Sequence, residues 1–301
     1  MKKSYICALS AIFFWSTVAV TSKILLDKLN NFQLLWANSF FAFLFLLIFN
    51  ICTGNIKKLA SYKPKDYLYI SLIGLPGTFF YSVFYYAGTD RLPASLAFIV
   101  NYLWPVMSII FAGIILKQKI TLPKIIAVAL SFLGVAFAVR GEFSSMGSGT
   151  ISGVVFCLLG AISYGLFTAL NQKMNYDKCL SIMINYMVSL VFTTVIVVLK
   201  GDLFVPSIGQ IAGFAWLGMF TLAVANTLWV TALQDVKRTA KISNLAYITP
   251  FASLIWTSLI LKEHISLNFV IGLVFIVIGI LFQFKSADNT DSSKEIIKVK
   301  T

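Results

Sequence analysis

The side chains with chemical capacity cluster in residues 92–105, Leu-Pro-Ala-Ser-Leu-Ala-Phe-Ile-Val-Asn-Tyr-Leu-Trp-Pro. An otherwise apolar run here carries an amide (Asn101), a phenol (Tyr102), an indole (Trp104) and a proline (Pro105). Pro105 removes the donor that would pair a backbone carbonyl one turn earlier. In hydrocarbon such a carbonyl is tolerated only beside protein or a wet cavity. Asn101 brings donors and an acceptor that lipid cannot satisfy. The pattern returns as Tyr247-Ile248-Thr249-Pro250. The chemistry is recognition, by hydrogen bonds and aromatic faces. Paired, kinked, polar helix centres are the sequence pointer to a transport site.

The missing groups narrow the class further. Acids fall at the ends of apolar segments (Asp27, Asp66, Asp90, Glu142, Asp177, Asp202, Asp235, Glu263), never in their middles. The single histidine, His264, reads as a solvated loop residue. Cys7, Cys52, Cys157 and Cys179 have no paired spacing, so neither a metal site nor a disulfide framework is expected. A membrane enzyme would need a nucleophile and base, or metal ligands, at depth. The expectation is no enzyme, no metal and no cofactor.

Such residues need apolar helices to hold them. Of 301 residues, 59% are hydrophobic and 12% charged, and mean hydropathy is +0.88, outside the range of soluble domains. Ten apolar segments are predicted, at 4–25, 32–53, 66–88, 93–116, 122–140, 150–172, 179–199, 208–233, 239–261 and 266–285. Each approaches the ~20 residues that cross a bilayer. The charge of +13 sits mostly in short gaps between these runs, which reads as topology and not as a nucleic-acid surface. With both termini inside, eighteen of the 24 Lys and Arg residues are cytoplasmic, so both termini are expected in the cytoplasm. The segment from Tyr5 is too long for a cleaved leader and reads as the first span. A flexible connector is expected at 141–149 and a disordered cytoplasmic tail at 286–301.

The two halves resemble each other. Residues 105–134 laid on 250–279 give ten identities, including Pro105/Pro250, Lys117/Lys262 and Gly134/Gly279. Leu9–Lys23 lies similarly against Leu158–Gln172, with Trp15 opposite Tyr164. Five spans per half, residues 1–140 and 150–285, make the second copy enter from the opposite face. The predicted fold is an all-α membrane protein built as an inverted repeat.

Helical spacing then gathers the candidates. Asn101, Trp104 and Ser108 share one stripe of the fourth span, and Phe98, Tyr102 and Pro105 the next. Tyr81 and Tyr85 are neighbours on the third span, after a hinge-like Gly74-Leu75-Pro76-Gly77 break. Asn226 and Trp229 are neighbours on the eighth. The proposed lining is Trp15, Tyr81, Tyr85, Asn101, Tyr102, Trp104, Tyr164, Asn226, Trp229 and Tyr247, with kinks at Pro76, Pro105 and Pro250. Interfacial anchoring competes for the two third-span tyrosines, and helix packing for the deeper residues. Lys23, near the outer end of the first span, is expected to snorkel to the headgroups; facing an outer vestibule is the alternative.

These features resemble the EamA branch of the drug/metabolite transporter superfamily over residues 4–285. The resemblance rests on the inverted five-span repeat, the Trp15…Lys23 first helix, the repeated proline, and the Leu-Lys-x-x-Ile-x-Leu corners at 116–122 and 261–267. Val100-Asn101-Tyr102-Leu103-Trp104-Pro105 is similar, more narrowly, to the bacterial aromatic amino-acid exporters of that group. The resemblance implies a basket-like ten-helix fold. It also implies export of amino acids or related metabolites, with Tyr81, Tyr85, Tyr102, Trp104 and Tyr164 as lining. The expected location is the bacterial plasma membrane, and the chain is expected to function as a monomer. The rival reading is a facilitator or efflux protein for other small neutral or cationic compounds. A non-transporting assembly protein or a membrane enzyme is more remote.

Overall fold

The computed structural model describes residues 2–142, 149–233, 242, 245–279 and 281. The expected tail, most of the 141–149 connector, and Lys237, Arg238 and Lys241 lie outside the described residues. Eight helices are long and apolar enough to cross a membrane: α1 (Lys3–Leu26), α2 (Asn31–Cys52), α3 (Pro64–Arg91), α4 (Ala94–Ile115), α5 (Leu122–Arg140), α6 (Gly149–Asn171), α7 (Lys178–Lys200) and α8 (Ile208–Leu233). Two shorter apolar helices follow, α9 (Ile248–Ile260) and α10 (Leu267–Gly279). No strand occurs among the described residues.

Polar residues at the ends define the helices. Asn30 and Gln33 form a reciprocal capping box at the start of α2, and Ser207 and Gln210 do the same for α8, pairing amides the first turn leaves open. Lys117 (φ 54°) and Lys262 (φ 56°) both end their helices in left-handed geometry. They are repeat-related lysines. Each lets the following residue, Gln118 or Glu263, donate its amide back to a carbonyl of the last turn, Ala112 or Thr257, a left-handed C-terminal cap.

Small residues allow the helices to approach. On α6, Gly160 abuts the Tyr81 and Tyr85 backbone of α3, and a side chain at Gly165 would collide with Met107 and the backbone of Ser108 on α4. α5 and α10 cross glycine on glycine: a methyl on Gly134 or Gly272 would strike the other's carbonyl. Gly279 in turn packs against Ala127 and Ser131. The pairs Gly134/Gly272 and Gly279/Ala127 exchange under the 145-residue offset of the sequence repeat. Close backbone approach at small residues is how membrane helices associate without a hydrophobic drive. Gly134→Ala is expected to destabilise the protein by about 1–3 kcal/mol through overpacking, seen as a lower melting temperature in detergent. An unchanged melting temperature would show that this crossing yields freely.

Four helices depart from regular geometry. α1 turns at Thr17, α3 carries a wide π turn at Pro76–Phe80, α4 breaks at Tyr102–Leu103, and α8 carries a second π turn at Trp216–Val224. The expected hinge at Pro76 is therefore the start of a wide turn. The turn in α8 has no proline to announce it.

Candidate functional site

The interruptions surround one chamber of about 210 Å³. α1 supplies Trp15 and Val18; α3, Tyr81; and α4, Phe98, Asn101, Tyr102 and Trp104. Tyr164 of α6, Asn226 and Trp229 of α8, and Ala246 and Thr249 at the start of α9 complete it. Eight of the ten residues proposed from sequence thus meet around one space.

The broken helices hold one another. Pro105 sits in the first turn of the second half of α4, and Pro250 is buried in the first turn of α9. The Tyr102 hydroxyl donates to the Ala246 carbonyl at 2.9 Å, joining the two breaks. Asn101 Nδ2 donates to the Tyr81 hydroxyl at 3.1 Å. On α1, two tryptophans fix the turn: Trp256 Nε1 donates to Ser16 at 3.0 Å and Trp216 Nε1 to Thr17 at 2.9 Å.

The rings form a box. Tyr164 lies 4.9 Å from Tyr81 and, edge-on, 5.1 Å from Trp104, while Trp15 and Trp229 are 5.2 Å apart. Among the described residues, no charged side chain lines the chamber. Such a space takes a flat or apolar body on its ring faces. The Thr249 hydroxyl and the Asn101 carbonyl oxygen are buried with no hydrogen-bond partner among the described residues, the latter against Gly160 of α6.

Two expected lining residues are elsewhere. Tyr85 is 1% exposed; its ring stacks on Tyr81 at 5.8 Å, while α6 closes over that turn at Gly160. It neither lines the chamber nor anchors at an interface. Tyr247 is buried among residues of the main core, and Thr249 occupies the lining position instead. Val18, Phe98, Ala246 and Thr249 were absent from the proposed lining. Phe98 precedes Tyr102 by one turn, and Thr249 sits within the repeated proline motif, so both left a readable trace. Ser108 faces Gly165.

The chamber continues into a vestibule of about 730 Å³ that shares Trp104, Tyr164, Asn226 and Trp229 with it. It reaches Asn171 at the end of α6, Gln172 and Met174 beyond it, Lys178 on α7 and Leu233 at the end of α8. Toward the other ends of α1 and α3 a separate cleft of about 400 Å³, lined by Lys23, Asp27, Lys28 and Asp90, shares no residue with the chamber. Lys23 does not snorkel: its ammonium donates to the carbonyls of Thr89, Asp90 and Leu92 at 2.8, 3.1 and 2.7 Å. Glu263 accepts from the amides of Ala94 and Ser95 at 2.6 and 2.9 Å. The turn between α3 and α4 is thus clamped by a cation on its carbonyls and an anion on its amides, the favourable sign at each helix end.

On the vestibule side, Asp177 accepts from Lys58 Nζ at 2.7 Å and from the amides of Cys179 and Leu180. Burial opposes ionisation of Asp177, but the Lys58 bond and these amides outweigh it and hold its carboxyl below the usual carboxylate range. Asp177 therefore stays charged and is committed to Lys58.

Long apolar spans and the absence of strands among the described residues mark a multi-pass membrane protein. The model of the EamA-like transporter family matches twice, over residues 2–140 and 151–284. The chain belongs to the EamA-like transporter family, within the drug/metabolite transporter superfamily, and is a transporter rather than an enzyme. It is 27% identical to an uncharacterized transporter of Clostridium kluyveri, over 98% of this chain and 97% of that one. An uncharacterized transporter of Archaeoglobus fulgidus is 24% identical over 72% and 78% of the two chains. A solved crystal structure shares the fold, with a TM-score of 0.68 at 17% identity over 93% of this chain and 95% of that one.

Proposed function

We propose that this chain exports amino acids with aromatic or hydrophobic side chains, by alternating access through the aromatic chamber. The observation that carries the reading is the chamber itself: ring faces from five helices, no lining charge among the described residues, and two helix breaks joined by the Tyr102–Ala246 bond. Breaks place backbone groups where substrate binds and give halves that can rock. The open vestibule at one end and the Lys23/Glu263 clamp at the other support one-sided access. The repeat-related caps and glycine crossings support two five-helix halves, 1–140 and 150–285, inverted in the bilayer. A single chain encloses the whole chamber, which supports a functional monomer. The vestibule then faces the cytoplasm of a bacterial cell. Counterflow in proteoliposomes, with a panel of labelled amino acids, tests the substrate. Exchange of phenylalanine or tryptophan well above that of glycine or aspartate is expected; exchange of none would refute the reading.

The aromatic box also favours a second substrate class, organic cations held on ring faces. A quaternary ammonium compound in the same panel separates the two.

Orientation follows from the positive-inside count. A thiol introduced within 141–149 should react with an impermeant reagent in intact cells, and one within 286–295 should not. The opposite labelling pattern would invert the topology.

Coupling follows from the absence of lining acids. Something must bind and release a proton for it to drive transport, and no carboxylate among the described residues lines the chamber. An imposed pH gradient alone should leave a zwitterionic substrate at equal concentration across the liposome membrane. Accumulation driven by that gradient would contradict this.

A further inference from the structure

Lys178 is the one charged side chain among the described residues that line the chamber or the vestibule. It is half-buried and has no ion-pair partner among the described residues. The adjacent acid, Asp177, is taken by Lys58 at 2.7 Å. The Lys178 ammonium donates to the carbonyls of Asn171 and Met174, both at 3.3 Å. Those contacts are long beside the 2.7–2.9 Å usual for a charge-assisted bond, and an ammonium has three donors. A half-buried cation without a counter-ion is costly to keep. Asn171, Gln172 and Ser181 line the same vestibule, and their amides and hydroxyl can share an incoming oxyanion.

We propose that Lys178 is a specificity-determining residue: it receives the carboxylate of the substrate at the vestibule mouth before the apolar body enters the aromatic chamber. The proposal rests on the transport reading and narrows it. The accepted class is then a carboxylate joined to an aromatic or aliphatic body, with or without an ammonium. Compounds that carry an amine alone meet a like charge at the entrance and are turned away. An anion entering there is drawn toward Lys178 by a field that low-dielectric walls focus.

Two measurements test this, and only one depends on the substrate. In the first, exchange of labelled L-phenylalanine is competed with 3-phenylpropionate or with phenylalaninamide. The carboxylate should compete and the amide should not. Lys178→Gln, which keeps a donor for the two carbonyls but loses the charge, should raise the apparent KM for phenylalanine about ten- to a hundredfold. Lys178→Arg should restore it. In the second, Thr168→Cys places a thiol deeper in the vestibule of a chain whose four native cysteines are replaced. With Lys178 present, an anionic thiosulfonate should modify that thiol about tenfold faster, relative to a cationic one, than with Lys178→Gln. Wild-type phenylalanine exchange with an unchanged KM in Lys178→Gln would overturn the proposal, leaving the lysine as a cap for α6. An unchanged reagent ratio would overturn it as well. If the wild type exchanges no phenylalanine but the reagent ratio falls in Lys178→Gln, the amino-acid reading fails and anion capture at Lys178 stands.

Discussion

Lys23→Met is expected to loosen the closed end of the pathway by at least tenfold. Its ammonium makes three bonds to carbonyls at the end of α3, and a hydrogen bond to a charged group contributes roughly 1.5–3 kcal/mol. Methionine fills similar volume but pairs with none of them. Those carbonyls lie at a helix end with no in-helix partner, so opening toward water becomes their best alternative. Glu263→Gln should act on the same turn from its other side, since a neutral amide accepts from Ala94 and Ser95 less strongly than a carboxylate. Hydrogen exchange of the Ala94 and Ser95 amides reads both variants directly. Exchange about ten- to a hundredfold faster is expected in each, with the smaller rise for Glu263→Gln. Wild-type exchange rates in both would mean that the clamp does not hold this end shut.

Trp104→Ala and Asn101→Leu should separate two tasks within the chamber. Trp104 presents its ring beside Tyr164 at 5.1 Å, and removing a large aromatic from a packed site costs roughly 3–5 kcal/mol where it is filled. Transport of phenylalanine and tryptophan should therefore fall by two orders of magnitude or more, and transport of alanine much less. Asn101→Leu keeps the volume and removes the bond to Tyr81, freeing that phenol to turn. All amino-acid substrates should lose up to about tenfold in affinity, as one lost neutral hydrogen bond of roughly 0.5–1.5 kcal/mol implies. Concentration-dependent counterflow, normalised to protein in the membrane, checks both. Wild-type rates for every substrate in both variants would reduce the α4 break to packing.

The break in α4 was legible in the sequence because a proline and three polar or aromatic groups inside an apolar run have few structural explanations. Its partners were legible because repeat-related helices carried the same residue types at matching depth. Tyr85 shows where periodicity ends. It shares a stripe with Tyr81, but Gly160 lets α6 close over that turn, and a neighbouring helix cannot be read from spacing. Tyr247 shows the limit of the repeat itself. It is the counterpart of Tyr102, yet it is buried in the core, while Thr249, the counterpart of Trp104, lines the chamber. Equivalent positions share a backbone and need not share an exposure. Lys23 was read from its own helix, where snorkelling is the ordinary outcome. The three carbonyls it meets come from residues 66 to 69 positions away, which no local pattern contains. The π turn in α8 was hidden for another reason: Gly218, pressed against the Asn38 carbonyl, marks it without a proline.

In the proposed cycle the aromatic chamber holds the substrate and is reached from the vestibule while the Lys23 end is closed. A thiol at Thr249→Cys, in a chain whose four native cysteines are replaced, lies in the chamber lining and reports on it directly. Reconstituted protein is exposed to an impermeant thiol reagent from one face at a time, with and without saturating L-phenylalanine. Modification from the vestibule face is expected, slowed at least tenfold by phenylalanine, with little reaction from the Lys23 face until Lys23→Met is added. Equal reaction from both faces, or a rate that phenylalanine leaves unchanged, would contradict the account.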